Sequence, residues 1–122
     1  MKDLSPQIQN QLAQYQQLQQ QLQVLASQRL QLDTKVKEIE SSLQELEKAG
    51  PDTNVYKSVG TLLIRADNRE EIKKELEDFK ETISIRVKAI QKQEKSLNER
   101  FEQLQQKLTE ALGGKPATGS SG

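Results

Sequence analysis

The sequence predicts a mainly α fold, a long antiparallel two-helix coiled coil joined by a short central β-hairpin. Two long stretches rich in Gln, Glu, Lys and Leu carry apolar residues at heptad spacing. Between them stands VYKSVGTLLIR, residues 55–65, which is β-branched, apolar and turns on a glycine. The composition favours an elongated molecule, because 33% hydrophobic and 3% aromatic content is low for a compact core in a 122-residue chain.

The first helix is predicted over about residues 6–49. Ser5 can cap its start, and Pro6 fits the first helical position, where no backbone donor is needed. Gly50 and Pro51 end the helix. All but two of the a and d positions in one heptad frame are apolar, which is strong coiled-coil patterning. In chain order they are Ile8, Gln11, Tyr15, Leu18, Leu22, Leu25, Arg29, Leu32, Val36, Ile39, Leu43 and Leu46.

The central segment predicts two short strands around Gly60 within about residues 54–66. Leu62, Leu63 and Ile64 put apolar groups on both faces of the second strand. A lone hairpin is marginal in water and leaves its edges unpaired. Two arrangements remain open: the hairpin folds back on its own helices, or hairpins from several chains pair into a shared sheet or barrel. We favour the second, because it pairs the edges and buries both faces.

The second helix is predicted over about residues 68–112, with Asn68 and Glu71 spaced as in a capping box. One set of apolar residues repeats every seven positions along the whole helix and forms an unbroken line. A second set, the companion line, lies four residues before the first up to Phe79 and four residues after it from Val87. The apolar seam therefore drifts around the helix. The unbroken line is Leu76, Ile83, Ile90, Leu97, Leu104 and Ala111, and the companion line is Ile72, Phe79, Val87, Phe101 and Leu108.

Folding the chain back at the hairpin matches apolar positions along nearly the whole helix length and leaves both termini at one end. Tyr15 is expected opposite Leu104. The apolar match between the helices is weaker in the middle of the coiled coil, because Arg29 falls opposite Ile90.

The end of the coiled coil that carries the termini is rich in glutamine. QNQLAQYQQLQQQLQ, residues 9–23, contains no charged residue, and Leu4, Leu12, Leu108 and Leu112 lie near the same end. These residues form either solvated helix ends or a charge-poor tip. Such a tip would bind exposed apolar segments of other proteins, weakly at each tip and more strongly where several tips act together.

Several function classes are excluded or disfavoured by composition. The chain has no cysteine and no histidine, which excludes disulfides, Cys/His zinc sites and histidine-based catalysis. It has no phosphate-binding loop motif, and its 18 basic and 18 acidic residues leave no basic surplus for nucleic acid. No signal-peptide or membrane-helix pattern is present. We therefore expect a cytoplasmic, ATP-independent non-enzyme with no cofactor or metal, and with neither nucleic acid nor membrane as partner.

Three segments carry a resemblance to a known family: QLAQYQQLQQQLQ at 11–23, VYKSVGTLLIR at 55–65 and IQKQEKSLNERFEQLQQKL at 90–108. Over almost its whole length the chain resembles the β class of archaeal prefoldin subunits. The resemblance implies a single prefoldin-like domain over residues 1–112. The low-complexity sequence KPATGSSG predicts a disordered tail at 113–122. The resemblance further implies a hexamer of two α and four β subunits, in which hairpins form a double β-barrel body. Six coiled coils then capture non-native proteins at their tips and pass them to a group II chaperonin without ATP.

The resemblance also assigns two sets of residues. The positions that match the oligomerising hairpin are Val55, Tyr56, Val59, Gly60, Leu62, Leu63 and Ile64. The positions that match the client-binding tip are Ile8, Leu12, Tyr15, Leu104, Leu108 and Leu112. We add Leu4 to the predicted tip, because it lies near the same end. The alternative function is a structural coiled-coil adaptor or spacer that binds one fixed partner.

Overall fold

The structure, a computed structural model, describes residues 5–113. In chain order its elements are α1 (Pro6–Lys48), β1 (Val55–Val59), β2 (Leu62–Ala66) and α2 (Arg69–Ala111). The predicted fold class, two long helices joined by an antiparallel two-stranded hairpin, is confirmed. Leu4 and residues 114–122 of the predicted tail lie outside the described residues.

Both predicted helix starts carry their side-chain caps. The backbone N–H of Ile8 donates to Oγ of Ser5 at 3.2 Å, and the N–H of Glu71 donates to Oδ1 of Asn68 at 3.2 Å. Each cap satisfies one of the backbone donors that the first helical turn leaves without an intrahelical acceptor. In α2 the acidic residues of the first turn, Glu70 and Glu71, add a favourable interaction with the helix dipole.

The end of α1 is held by the first residue of α2. The guanidinium of Arg69 donates to the carbonyl oxygens of Leu46, Ala49 and Gly50, each at 2.9 Å. The last carbonyls of a helix have no intrahelical donor, and a cation is favourable there. Gly50 and Pro51, the stop predicted from the sequence, are thus not the only residues that define this helix end. Arg69 therefore joins the two helices at the base of the hairpin.

We expect Arg69→Met to lower the free energy of unfolding by about 2 kcal/mol, because it removes charge-assisted hydrogen bonds to half-buried carbonyls. Urea unfolding followed by far-UV circular dichroism measures this loss. Arg65→Met is the matched control, since the Arg65 side chain is 65% exposed and its ion pair with Asp67 is 4.0 Å long. An equal loss in both variants would contradict the capping role.

The chain divides into two compact units, each with its own apolar cluster. The described part of the first unit comprises residues 5–29 and 89–113, and the second unit comprises residues 30–88. The first cluster is built on Leu18, Leu104 and Leu108, with Ile8, Leu12, Tyr15, Leu97 and Phe101 packed against it. The second is built on Ile39, Ile83 and Val87, with Leu32, Val36, Leu43 and Leu76 packed against it. Because both clusters draw on both helices, the heptad positions do form the contact between the helices.

Two details of the predicted seam differ in the structure. Phe79 is 52% exposed rather than packed in the seam, because Leu76 and Ile83, which precede and follow it along α2, make the contacts with the second cluster. Arg29, predicted opposite Ile90, instead binds Glu94, one turn further along α2. Heptad spacing predicts which face of each helix is apolar, but it does not determine which residues of the two helices contact each other.

The hairpin has a two-residue turn and full pairing between its strands. The register runs from Val55 opposite Ala66 to Val59 opposite Leu62. Gly60 has a φ of 60°. Glycine with positive φ at the first central position is typical of a type II′ turn, whose twist matches that of the flanking strands.

Within residues 5–113, neither helix is long and apolar enough to cross a membrane. The same part of the chain has no group of three or more acidic residues placed to hold a metal ion.

Candidate assembly and binding surfaces

The hairpin displays apolar side chains on both of its faces. The pairing puts Val59, Leu62 and Ile64 on one face, and Tyr56 and Leu63 on the other. Leu63 is 73% exposed and Leu62 is 63% exposed, and the other three are also exposed. Val55, the remaining predicted hairpin contact besides Gly60, is half-buried at the base of the strand. In this single chain the apolar side chains of the hairpin are thus largely uncovered.

The outer edges of the hairpin are open. In the described part of the chain, β1 pairs with β2 and with no other strand. Each strand therefore has one edge whose N–H and C=O groups have no partner strand. An open edge next to exposed apolar side chains is the arrangement that strand addition from another chain would complete.

The hairpin is tied to α2 by an ion pair. Nζ of Lys57 lies 2.8 Å from Oε2 of Glu75, and both side chains are half exposed. The hydrogen bond from Lys57 to Glu75, together with the negative charges of Glu75 and Glu71, raises the pKa of the Lys57 ammonium. Because that pKa is raised, the contribution of the pair is complete at neutral pH and is lost only as the pH rises through the shifted value. Salt screens such an exposed pair, so it orients the hairpin more than it stabilises it.

The predicted tip residues fall into three classes of exposure. Leu104 and Leu108 are buried in the cluster of the first unit. Ile8, Leu12 and Tyr15 are half-buried against it, and the ring of Tyr15 stacks on Phe101 with centroids 4.6 Å apart. Leu112 is 56% exposed. Of the described tip candidates, Leu112 alone offers most of its side chain to a ligand, and the others first stabilise the helix pair.

An ion pair inside the first unit was not predicted. Nε of Arg29 lies 2.6 Å from Oε1 of Glu94, and Nη2 of Arg29 lies 3.2 Å from Oε2. The two side chains are only 30% and 15% exposed. The signal was present in the sequence, because Arg29 interrupts an otherwise apolar line at a seam position. A polar residue at such a position specifies helix register at a cost in stability.

We expect Glu94→Ala to lower the free energy of unfolding by about 1–3 kcal/mol, because it removes the bidentate acceptor from a largely covered guanidinium. The double variant Arg29→Leu with Glu94→Leu should recover most of this loss. Urea unfolding measures both. The control is Glu40→Ala, which breaks the more exposed pair with Lys80 at 3.2 Å and should cost less than about 0.5 kcal/mol. A double variant as unstable as Glu94→Ala would show that the pair is itself stabilising.

Comparison with known proteins identifies the family. The family model described as "Prefoldin subunit" matches residues 9–115. Prefoldin subunit beta of Archaeoglobus fulgidus is 47% identical over 112 residues, which is 92% of this chain and 96% of the relative. The chain belongs to the prefoldin family. Prefoldin subunit beta of Methanosarcina acetivorans is 48% identical over 113 residues, or 93% of this chain and 96% of the relative.

A solved prefoldin structure has the same fold. The crystal structure of the prefoldin beta subunit from Thermococcus strain KS-1 superposes with a TM-score of 0.83 at 34% sequence identity. The match covers 94% of this chain and 100% of that chain. The resemblance stated from the sequence is therefore confirmed, and membership of the prefoldin family implies a chaperone-associated function.

Proposed function

We propose that the chain is a subunit of an ATP-independent chaperone that holds non-native proteins and delivers them to a group II chaperonin. In this proposal it assembles with prefoldin alpha subunits and further beta subunits into a cytoplasmic hexamer of two alpha and four beta chains. The hairpins form a β-barrel body, and the helix ends near the termini contact the client. Within residues 5–113 no phosphate-binding motif accompanies this fold, so binding is expected without nucleotide turnover.

The observation that carries the proposal is the uncovered hairpin. Five apolar side chains of a two-stranded sheet are exposed, on both faces, beside open strand edges. They are Tyr56, Val59, Leu62, Leu63 and Ile64. Isolated surface leucines are ordinary, but a contiguous apolar sheet marks an interaction site. Pairing with other hairpins would bury both faces and complete the edges.

The charge-poor helix end supports the holding role. Leu112 is exposed there, and Leu12 and Ile8 keep part of their surface accessible. One such end has little apolar surface and would bind a client weakly. Several ends on one assembly would bind more strongly, because the second contact becomes intramolecular.

Assembly is tested by native mass spectrometry of the full chain, alone and mixed with an archaeal prefoldin alpha subunit. We expect a mixed hexamer that contains four copies of this chain. A persistent monomer in both samples would overturn the assembly part of the proposal.

Holding is tested by light scattering of unrelated proteins diluted from denaturant, without ATP and with the assembled complex. We expect aggregation to be suppressed, and addition of a group II chaperonin with ATP to release folded client. A coiled-coil adaptor would instead leave the aggregation of every client unchanged and bind one folded partner. That result would replace the chaperone proposal.

A further inference from the structure

The first unit contains a groove lined mainly by glutamine. Its walls are the side chains of Gln17, Gln20, Gln21, Gln28, Gln93 and Ser96, and its apolar surface comes from Val24, Leu25 and Leu97. The groove has a volume of about 620 Å³. Val24 is 55% exposed and lies outside the heptad seam. The groove is separate from the predicted tip residues, none of which lines it.

The groove lies along the uncharged stretch of α1. Its lining contains no ionisable side chain. A second groove on the same unit is lined by charged residues, among them Arg29, Lys95, Glu99 and Glu102. The uncharged surface therefore belongs to this stretch of α1 and not to the whole unit. It supplies no cation for a phosphate and no aromatic ring for stacking on a sugar or a base.

The glutamine side chains of the groove are available for hydrogen bonding. Among the described residues, Gln17, Gln20, Gln21, Gln28 and Gln93 make no side-chain hydrogen bond or ion pair within the chain. Each amide offers donors and an acceptor, the same pair of groups that a peptide unit carries. A lining that combines free amides with aliphatic side chains complements an extended backbone with small or apolar side chains.

The dimensions agree with such a ligand. The stretch from Gln17 to Gln28 rises about 16 Å at 1.5 Å per helical residue. An extended chain advances about 3.3 Å per residue, so about five residues would lie along it. A non-native protein offers extended backbone whose N–H and C=O groups are unpaired, whereas a folded protein has already paired most of them.

We propose that this glutamine groove binds an extended, uncharged segment of a non-native polypeptide through hydrogen bonds to its backbone. The inference rests on the proposed holding function and assigns it a second contact on each chain. Backbone recognition is independent of sequence, while the absence of charge selects against segments rich in Lys, Arg, Asp or Glu, which would lose hydration without gaining a partner. Apolar contact at the tip and backbone contact in the groove would then act on one client segment together.

The test uses the assembled full-length chain and a ten-residue peptide of Ser, Thr, Gln, Val and Leu, capped at both ends and carrying an uncharged fluorophore. The triple variant Gln17→Glu, Gln20→Glu and Gln21→Glu removes amide donors from the groove. The matched control is Gln16→Glu, Gln19→Glu and Gln23→Glu, which makes the same change of charge on exposed residues of the same helix outside the lining. We expect the groove variant to bind the peptide about tenfold more weakly and the control less than about twofold more weakly, by fluorescence anisotropy.

Photo-crosslinking locates the bound peptide. Benzoylphenylalanine in place of Val24 should crosslink to the peptide, and the same residue in place of Leu30, which is 62% exposed and outside the groove lining, should not. Crosslinking at Val24 between two copies of this chain would overturn the inference in favour of an interface between copies. Equal weakening by the groove and control variants would overturn it as well.

Failure of the inference is distinguishable from failure of the proposed function. If the assembly suppresses aggregation but the groove variant keeps full affinity for the peptide, the inference alone is wrong. If the unmodified assembly neither suppresses aggregation nor binds the peptide, both are wrong.

Discussion

Replacing Leu62 with aspartate should abolish assembly while both helices remain folded. Leu62 is 63% exposed, lies opposite Val59 in the hairpin and has no role in either helix cluster. Once hairpins pair, this position would be covered, and an unpaired carboxylate there costs several kcal/mol. We expect the dissociation constant for the alpha subunit to rise on the order of 100-fold or more. Native mass spectrometry measures the loss of assembly, and far-UV circular dichroism measures the unchanged helicity.

Ile64→Asp should weaken assembly less than Leu62→Asp, because residue 64 lies directly opposite Lys57 on the same face of the hairpin. A carboxylate there would share the Lys57 ammonium with Glu75, whereas the carboxylate of Leu62→Asp has no cation opposite it. Leu30→Asp is the control outside the hairpin, since Leu30 is 62% exposed on α1. If Leu62→Asp assembled normally, or Leu30→Asp dissociated the complex equally, the hairpin would not be the joint.

The helix pair and the hairpin were predictable because their signals are local. Heptad spacing places Leu18 and Ile39 in the seam, and both are buried. Ser5 and Asn68 were identifiable as caps because capping depends on residues three positions apart. The turn at Gly60 follows from a single glycine between two β-branched runs. For the two caps and the turn, the deciding contact lies within a few residues of the signal, and for the seam the periodicity itself marks the residues that the second helix covers.

Polar contacts between residues distant in the chain were not predicted. Arg69 reaches back across the hairpin to the carbonyl of Leu46, and nothing in its neighbourhood distinguishes it from other surface arginines. Arg29 finds Glu94 rather than the residue that simple folding back places opposite, because a long side chain can select a partner one turn away. Register across the seam depends on such pairings, which periodicity alone does not contain.

The sequence did not distinguish exposed from buried residues among the predicted tip positions. Leu108 and Leu112 lie one helical turn apart near the same end, and the sequence placed both in the tip. The structure separates them, since Leu108 is 5% exposed and Leu112 is 56% exposed. Leu108 is one of the heptad-spaced apolar residues of α2, and this spacing predicted a buried position in the seam. Its place in the chain predicted only that it lies near the tip.

Leu112→Ser should therefore reduce client capture more than Leu108→Ser, although it costs less stability. Leu112 lies one residue past the end of α2 and is exposed, so its truncation should change the free energy of unfolding by less than about 0.5 kcal/mol. Leu108 is in the core, so Leu108→Ser should cost about 2–5 kcal/mol. Loss of the Leu108 side chain also loosens the cluster and exposes Leu12 and Leu104. These two side chains would then offer a client part of the apolar surface that Leu108 no longer provides. Light scattering of an aggregating client and urea unfolding of each variant give the two rankings.

If Leu112 contacts the client directly, Leu112→Ser should cause the larger loss of client capture and Leu108→Ser the larger loss of stability. If the residues are needed only to keep the helices paired, both losses should follow the same order. Ile85→Ser is the control, because Ile85 is 60% exposed on α2 within the second unit, away from the helix ends. It should leave both quantities unchanged. If capture instead fell in the order of lost stability, the closed helix pair itself would be the requirement for binding. If Leu112→Ser left capture intact, the client would contact another surface, and the glutamine groove would be the next one to test.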